Sequence, residues 1–432
     1  MGVNEMNQFN DVPQWEARLI SWLTVAVTVL GLLPAGLYLE DFEDISRVSQ
    51  GSIWFQVQWG GVFALSIFVV LRHRALALLN LRSMNPFILT MLLYCAASTI
   101  WSPFEFVTIK KVIQFAGLII LSLAIQTDRK SWTHFIWMMV ATMTAIEFAS
   151  ALVAITIPSF GIDAEFGYAW RGIVTGKNQL GGLSAVAALL WIALWRVRHI
   201  PKLVFWSGFG LSLMCVVMSR SSTSFIVLAL GGGAYWLLHK QHIKSSLWLS
   251  QIIVGAGMIL VGLLHAYFIL EGHLPGLEEI AAPVAGIFGK GADLTGRAFI
   301  WEMLSVEIAK HGLLGIGYGA FWLGPGSASQ PILDVMQWLP SQAHNGYLDT
   351  LNELGTVGIF LFLGLLLSHV ASLARLLQVD RPAAALFGSI LVIILFSNLS
   401  ETSIFRGVSF FFLLMILSSV SVTSGLQRMR TQ

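Results

Sequence analysis

Long apolar runs separated by short polar or basic breaks dominate the chain from residue 19 to residue 424. A hydrocarbon layer about 30 Å thick takes roughly 20 apolar residues of helix to cross. Stretches of that kind fall at 19–39, 56–71, 86–102, 107–126, 134–157, 178–196, 203–219, 222–238, 248–270, 355–374, 383–399 and 407–424. The pattern predicts an all-α, polytopic membrane bundle of about twelve transmembrane helices. Only residues 271–345 break the rhythm for long, and their aromatic residues, among them Phe299, Trp301, Tyr318, Phe321 and Trp322, argue for a folded loop. Within it, TGRAFIWEMLSVEIAKH (295–311) reads as an amphipathic helix with Thr295 as its N-cap. Ile300, Leu304 and Ile308 share one face, and Glu302, Lys310 and His311 are free for the other. Such a helix is expected to lie at the membrane surface. The organisation is then nine helices in 1–270, one large, partly helical loop in 271–345, and three helices in 346–432.

Composition makes lipid the main solvent. The 432 residues are 56% hydrophobic and 11% charged, against about 25% charged in a soluble domain. A net charge of +2 with no basic block gives no case for nucleic acid. Cys95 and Cys215 both fall inside apolar stretches, so neither a disulfide framework nor a metal site is expected. The first fifteen residues lack the basic start of a cleavable signal, so the first span is expected to remain.

The larger share of the 25 Lys and Arg residues falls on one side of the expected membrane, which predicts both termini in the cytoplasm. Those left on the other side include Lys110, Lys111, Arg171, Lys177, Arg220, Arg297 and Arg406. Cations retained against the positive-inside preference point to an anionic ligand at the outer face. For Lys110, Lys111 and Arg220 the default reading is a snorkelling side chain.

Four stretches carry candidate chemistry. In TGR (295–297), Arg297 beside the free N–H groups of a helix start would make a site for phosphate or diphosphate. The bland alternative is a surface Arg stacked on Trp301. In QAHNGYLDTLNELG (342–355), His344 stands where a span begins and is the natural proton acceptor for a hydroxyl. It could instead be a capping residue, and Asp349 and Glu353 could orient a partner or face water. RGIVTGKNQLGG (171–182) sets Arg171 and Lys177 among glycines, either to clamp an anion or as an ordinary loop. MSRSSTS (218–224) places Arg220 at the junction of two spans. GIGYG (315–319) resembles a nucleotide-binding glycine pattern only superficially, because no strand precedes it. The acidic run Glu40, Asp41, Glu43 and Asp44 reads as a solvated loop rather than a metal site, and the histidines lack zinc spacing.

Taken in order, RGIVTGKNQLGG, MSRSSTS, LTGRAFIWEM with HGLLGIGYGAFW, and AHNGYLDTLNELG resemble the bacterial O-antigen ligase and polymerase family, with WSPFEFVTIKK (101–111) adding to the match. The resemblance runs over roughly residues 95–400, and its wording is similar to the exopolysaccharide polymerase branch. It implies an inverting, metal- and cofactor-independent glycosyltransferase of the bacterial inner membrane, with its site facing the periplasm. The donor would be an undecaprenyl-diphosphate-linked glycan, and the acceptor a second glycan or, in the ligase alternative, lipid A-core. A chain-length regulator is an implied partner. Arg171, Arg220 and Arg297 match the family's diphosphate-holding arginines, and His344 matches the histidine that activates or positions the acceptor hydroxyl. Lys177, Asn345, Tyr318 and Trp301 are expected to contact substrate. No acidic partner for His344 is evident at helical spacing. A transporter or flippase without chemistry would place its ionisable residues nearer the bilayer midplane, and a structural envelope protein would not need a histidine with three arginines.

Overall fold

A computed structural model describes residues 13–33, 52–128, 132–240, 295–336, 338 and 340–431. The acidic run at 40–44, the span expected at 248–270 and loop residues 271–294 lie outside the described residues. In chain order the helices are α1 (Gln14–Leu32), α2 (Ile53–Arg72), α3 (Arg74–Ser83), α4 (Pro86–Ala97), α5 (Glu105–Ile125), α6 (Trp132–Thr156), α7 (Lys177–Val197), α8 (Lys202–Met218) and α9 (Ser222–His239). They continue as α10 (Thr295–His311), α11 (Gln330–Met336), α12 (Gly346–Val379), α13 (Arg381–Ser397) and α14 (Phe410–Thr431). Among the described residues the only sheet is a two-stranded antiparallel hairpin, β1 (Ile162–Asp163) with β2 (Ala169–Trp170).

Among the described residues, seven helices are long and apolar enough to cross a membrane, or eight if the pair Arg74–Ser83 and Pro86–Ile100, bent by 92°, counts as one span. Lys202–Met218 and Arg381–Ser397 are shorter apolar helices. Eleven of the sequence-expected spans coincide with helices, yet several are too short to satisfy a length test alone. The expected dozen is therefore not reached by length and apolarity among the described residues.

Helices α7 and α14 are the most enclosed spans, each with 78% of its apolar window buried. Helix α7 packs on α6, α8 and α9, while α12 lies against α4, α13 and α14. The connections divide between two ends. At one, Trp132 Nε1 donates to Asp380 Oδ2 at 3.1 Å and Arg428 Nη2 to the Gln126 carbonyl at 2.9 Å. At the other, the 398–409 connection meets the 171–178, 219–224 and 341–346 segments, and this end carries every candidate site residue.

Helix α12 is 34 residues long, about 50 Å at 1.5 Å per residue, and too long for one straight crossing. It breaks at Gly355, whose φ of 65° and ψ of −169° are not helical. The chain just after α10 answers four of the polar groups freed by the break. Ile316 and Gly317 N–H donate to the carbonyls of Asn352 and Glu353, both at 3.0 Å. Thr356 and Val357 N–H donate in turn to the carbonyls of Gly312 and Leu313. The Tyr94 hydroxyl donates to the Leu354 carbonyl at 3.0 Å. In hydrocarbon an unanswered backbone group costs several kcal/mol, roughly, so this splice permits a hinge there. Residues 346–354 become a separate short helix leading from the site into the span.

Helix α10 does form, and Thr295, the residue expected as its cap, is itself helical. Its apolar face is covered by protein. Ile300 and Leu304 pack with Ile316, Phe321, Trp322, Ile332 and Ala343 into a small core belonging to the loop, with Ile308 at its margin. The helix thus docks onto the start of α12 instead of leaving that face for lipid.

Candidate active site

The site is organised by a segment that sequence reasoning passed over, Asn398–Ser409 between α13 and α14. Asn398 anchors it: its Oδ1 accepts from Ser403 and Ile404 N–H at 2.9 and 3.0 Å, and its carbonyl accepts from Gly346 N–H at 2.8 Å. A Cβ at Gly346 would sit 2.2 Å from Asn398 Oδ1, so glycine lets the two segments touch. Ser400 Oγ shares a hydrogen bond with Thr223 Oγ1 at 2.8 Å, tying in the turn that carries Arg220.

Glu401 is the centre of the constellation. Its Oε1 accepts from Asn178 Nδ2 at 2.7 Å and lies 3.7 Å from Arg297 Nη2. Its Oε2 accepts from Gln342 Nε2 at 2.7 Å and lies 3.2 Å from His344 Nδ1. The four donors come from α7, α10 and the stretch before α12. Burial by itself would raise the Glu401 carboxyl. The His344 hydrogen bond, the Arg297 charge and the Asn178 amide outweigh it and hold the group below the usual carboxylate range.

This arrangement assigns the imidazole tautomer. An ionised carboxylate only accepts, so His344 Nδ1 carries its proton toward Glu401 and Nε2 is left as the basic atom. The backbone fixes the ring from both sides. Ala343 N–H donates to Asp349 Oδ2 at 3.0 Å, the Ala343 carbonyl accepts from Trp301 Nε1 at 2.8 Å, and Asn345 caps α12 by accepting from Tyr347 and Leu348 N–H. His344 itself is left-handed, with φ of 52°. Arg220 shares that strain at φ of 48°, one residue past the cap of α8, where glycine is usual. Such backbones cost about 1–3 kcal/mol each and persist where the surroundings impose them.

Asp349 and Glu353 face inward rather than water. Asp349 accepts from Trp322 Nε1 at 2.7 Å, from Ala343 N–H and from the Thr402 hydroxyl, and Glu353 Oε2 accepts from Gly319 N–H at 2.8 Å. Arg406 donates to Gln342 Oε1 and to Ser341 Oγ, the latter at 3.0 Å, and so supports the residue that holds Glu401.

The structure gathers His344 and Arg297 directly. Arg171 instead donates to the Phe160 carbonyl at 2.7 Å and pairs with Asp163 Oδ1 at 3.4 Å. Lys177 sits 4.5 Å from the Phe166 ring centroid. Arg220 reaches the same hairpin, its Nη1 3.5 Å from where a Cβ on Gly167 would stand. These three cations therefore border the β1–β2 hairpin, and Asn178, next to Lys177, links that group to Glu401. Of the expected substrate contacts, Tyr318 is fully buried in the core, Asn345 spends its side chain as a cap, and Trp301 braces Ala343 rather than stacking on Arg297.

Glu401, Gln342, Asn178 and Arg406 were missed or left unassigned by sequence reasoning. Glu401 lies 57 residues from His344, so no local spacing could pair them. The available signal was the pair of charges in the short ETSIFRG connection between two apolar runs.

Residues 207–363 match the family described as O-Antigen ligase. That stretch contains Arg220, Arg297 and His344 but not Glu401. The chain is also 28% identical over 240 residues to the exopolysaccharide production protein ExoQ of Rhizobium meliloti (strain 1021). The alignment spans 51% of this chain and 51% of that relative, so the chain matches about half the relative's length. Together the family match and the relative support the O-antigen ligase/polymerase family for this chain, the family its motifs resemble.

Proposed function

We propose that this protein is a membrane glycosyltransferase that moves a glycan from an undecaprenyl-diphosphate donor to a hydroxyl of an acceptor glycan, extending a surface polysaccharide. The observation that carries the reading is the convergence of His344 and Arg297 on Glu401. With Nδ1–H given to Glu401, His344 Nε2 takes the proton of the attacking hydroxyl. The acceptor oxygen then bonds to the anomeric carbon as the bond to the diphosphate oxygen breaks, which inverts that centre. Arg297 uses one edge of its guanidinium on Glu401 and keeps other N–H groups for the leaving diphosphate, with Arg171 and Arg220 approaching from the hairpin side. A lipid diphosphate is already a good leaving group, so the step calls for neither metal nor nucleotide sugar.

The reading also has loop residues 295–336 and 340–345 covering the site, in the inner membrane with the site toward the periplasm and both termini in the cytoplasm. Similarity to an exopolysaccharide production protein favours polymer formation over transfer to lipid A-core. The test is purified full-length protein in lipid nanodiscs, given a defined lipid-diphosphate repeat unit with and without lipid A-core. Polymer from the repeat unit alone is expected. His344→Ala and Arg297→Ala should each lower it by about 10²–10⁴-fold, and wild-type polymer from either would sink the assignment. Product that requires core would make the enzyme a ligase.

A further inference from the structure

The GIGYG stretch has no part in the chemistry above, yet its backbone is highly specified. Gly315, Gly317 and Gly319 have φ of 73°, 122° and 71°. A Cβ on Gly315 would fall 2.3 Å from the Glu353 carbonyl, and one on Gly319 would fall 2.7 Å from Lys111 Cγ. At the far end of the same lysine, a Cβ on Gly407 (φ 52°) would lie 3.2 Å from Lys111 Nζ. Two left-handed glycines from separate segments thus leave room for the stem and head of one lysine. The ammonium they admit is not consumed. Among the described residues Lys111 makes no hydrogen bond or ion pair, and Glu353 is the carboxylate that acts on it. Glu353 Oε2 is held by Gly319 N–H, and its other oxygen carries no hydrogen bond among the described residues.

Lys111, Glu353, Arg406, Gln342, Trp322 and Ser341 line one cavity of about 190 Å³, room for roughly six waters at ~30 Å³ each. Gln342 is its common wall with the candidate active site. Its Oε1 accepts from Arg406 and from Thr402 N–H, and its Nε2 donates to Glu401. The two sides of Glu401 differ accordingly: Oε1 faces Asn178 and Arg297, toward the hairpin cations, and Oε2 faces His344 and Gln342, of which Gln342 lines the cavity. A diphosphate belongs on the first side, so the second is left for the hydroxyl that His344 deprotonates.

We propose that this cavity is the acceptor subsite, taking one sugar ring of the acceptor glycan through vicinal hydroxyls bridged between Lys111 and Glu353. Each hydroxyl of such a pair both donates and accepts, so a cation and a carboxylate side by side satisfy it in a way that neither does alone. Trp322 gives the apolar C–H edge of the ring an aromatic wall, the usual composition of a sugar-sized pocket. The assignment rests on the glycosyl-transfer reading above and deepens it by separating acceptor from donor.

The test uses full-length protein in nanodiscs, a fixed lipid-diphosphate donor and a soluble oligosaccharide of the repeat unit as acceptor. Lys111→Met and Glu353→Gln are each expected to raise the acceptor KM by about tenfold to a hundredfold, with the donor KM unmoved and the effect on KM rather than kcat. Ser341→Trp, at an exposed edge of the cavity, should do the same by filling it, and covers the case in which a buried variant fails to fold. Unchanged acceptor KM in an enzyme that His344→Ala inactivates overturns the subsite alone. A loss confined to kcat does so too. Full activity of His344→Ala overturns the underlying reading instead.

Discussion

Glu401→Gln removes one charge while keeping shape, and the structure says why so small a change should be costly. Four donors converge on the carboxylate: Asn178 Nδ2, Arg297 Nη2, Gln342 Nε2 and His344 Nδ1. A glutamine offers one oxygen and one NH2. If the NH2 faces the first pair, it confronts Arg297, which cannot accept. If it faces the second, it confronts Gln342, whose own oxygen is committed to Arg406 and Thr402 N–H. It would then press the His344 proton from Nδ1 onto Nε2, the atom required as base. Loss of a positioned base lowers a rate by about 10²–10⁴-fold, which is about 3–5 kcal/mol of barrier. The assay is initial-rate polymer formation with the defined donor, beside thermal unfolding of the same preparation. A kcat loss of at least a hundredfold with a folded protein is expected. Glu401→Asp, which retains charge but shortens the reach, should fall between. A Glu401→Gln enzyme within threefold of wild type would refute the pairing of Glu401 with His344 as the working dyad.

Three further outcomes follow from the same geometry. Because the Glu401 carboxyl titrates below its free value of 4.5, its contribution to stability is complete above that pH. It is lost as pH falls through the depressed folded value, so the Tm gap between wild type and Glu401→Gln should be flat from neutral pH to about 5 and close below 4.5; a gap that closes between pH 6 and 7 would contradict this. Gly355→Ala forces a side chain onto a φ of 65° with its Cβ 2.3 Å from the Leu313 carbonyl, costing about 1–3 kcal/mol for the backbone alone. It should lower Tm and yield more than Gly232→Ala, where a Cβ meets nothing within 4 Å. Trp301→Phe keeps the ring but drops the bond to the Ala343 carbonyl. At about 1 kcal/mol for one such bond, activity should fall by less than about tenfold, and total loss would mean that Trp301 touches substrate.

The sequence alone determined the solvent and hence the class of fold. A run of some 20 apolar residues must satisfy its own backbone in lipid, and helix is the one-segment way to do so; the helices found at the expected positions follow from that constraint. It also singled out His344 and Arg297, because a titratable ring and a guanidinium are conspicuous where apolar runs end. What it could not supply were partners set by distance in space. Glu401 reaches His344 from 57 residues away, and Tyr318 N–H finds Ser98 Oγ across 220. The helical break at Gly355 is stable only because residues 312–317 happen to arrive beside it. The glycines of GIGYG were visible from the start, yet their use, to admit Lys111 toward Glu353, exists only once α5, the loop and α12 are packed together. Local periodicity encodes which segments leave water, whereas charge compensation, tautomer and cavity shape depend on which segments meet.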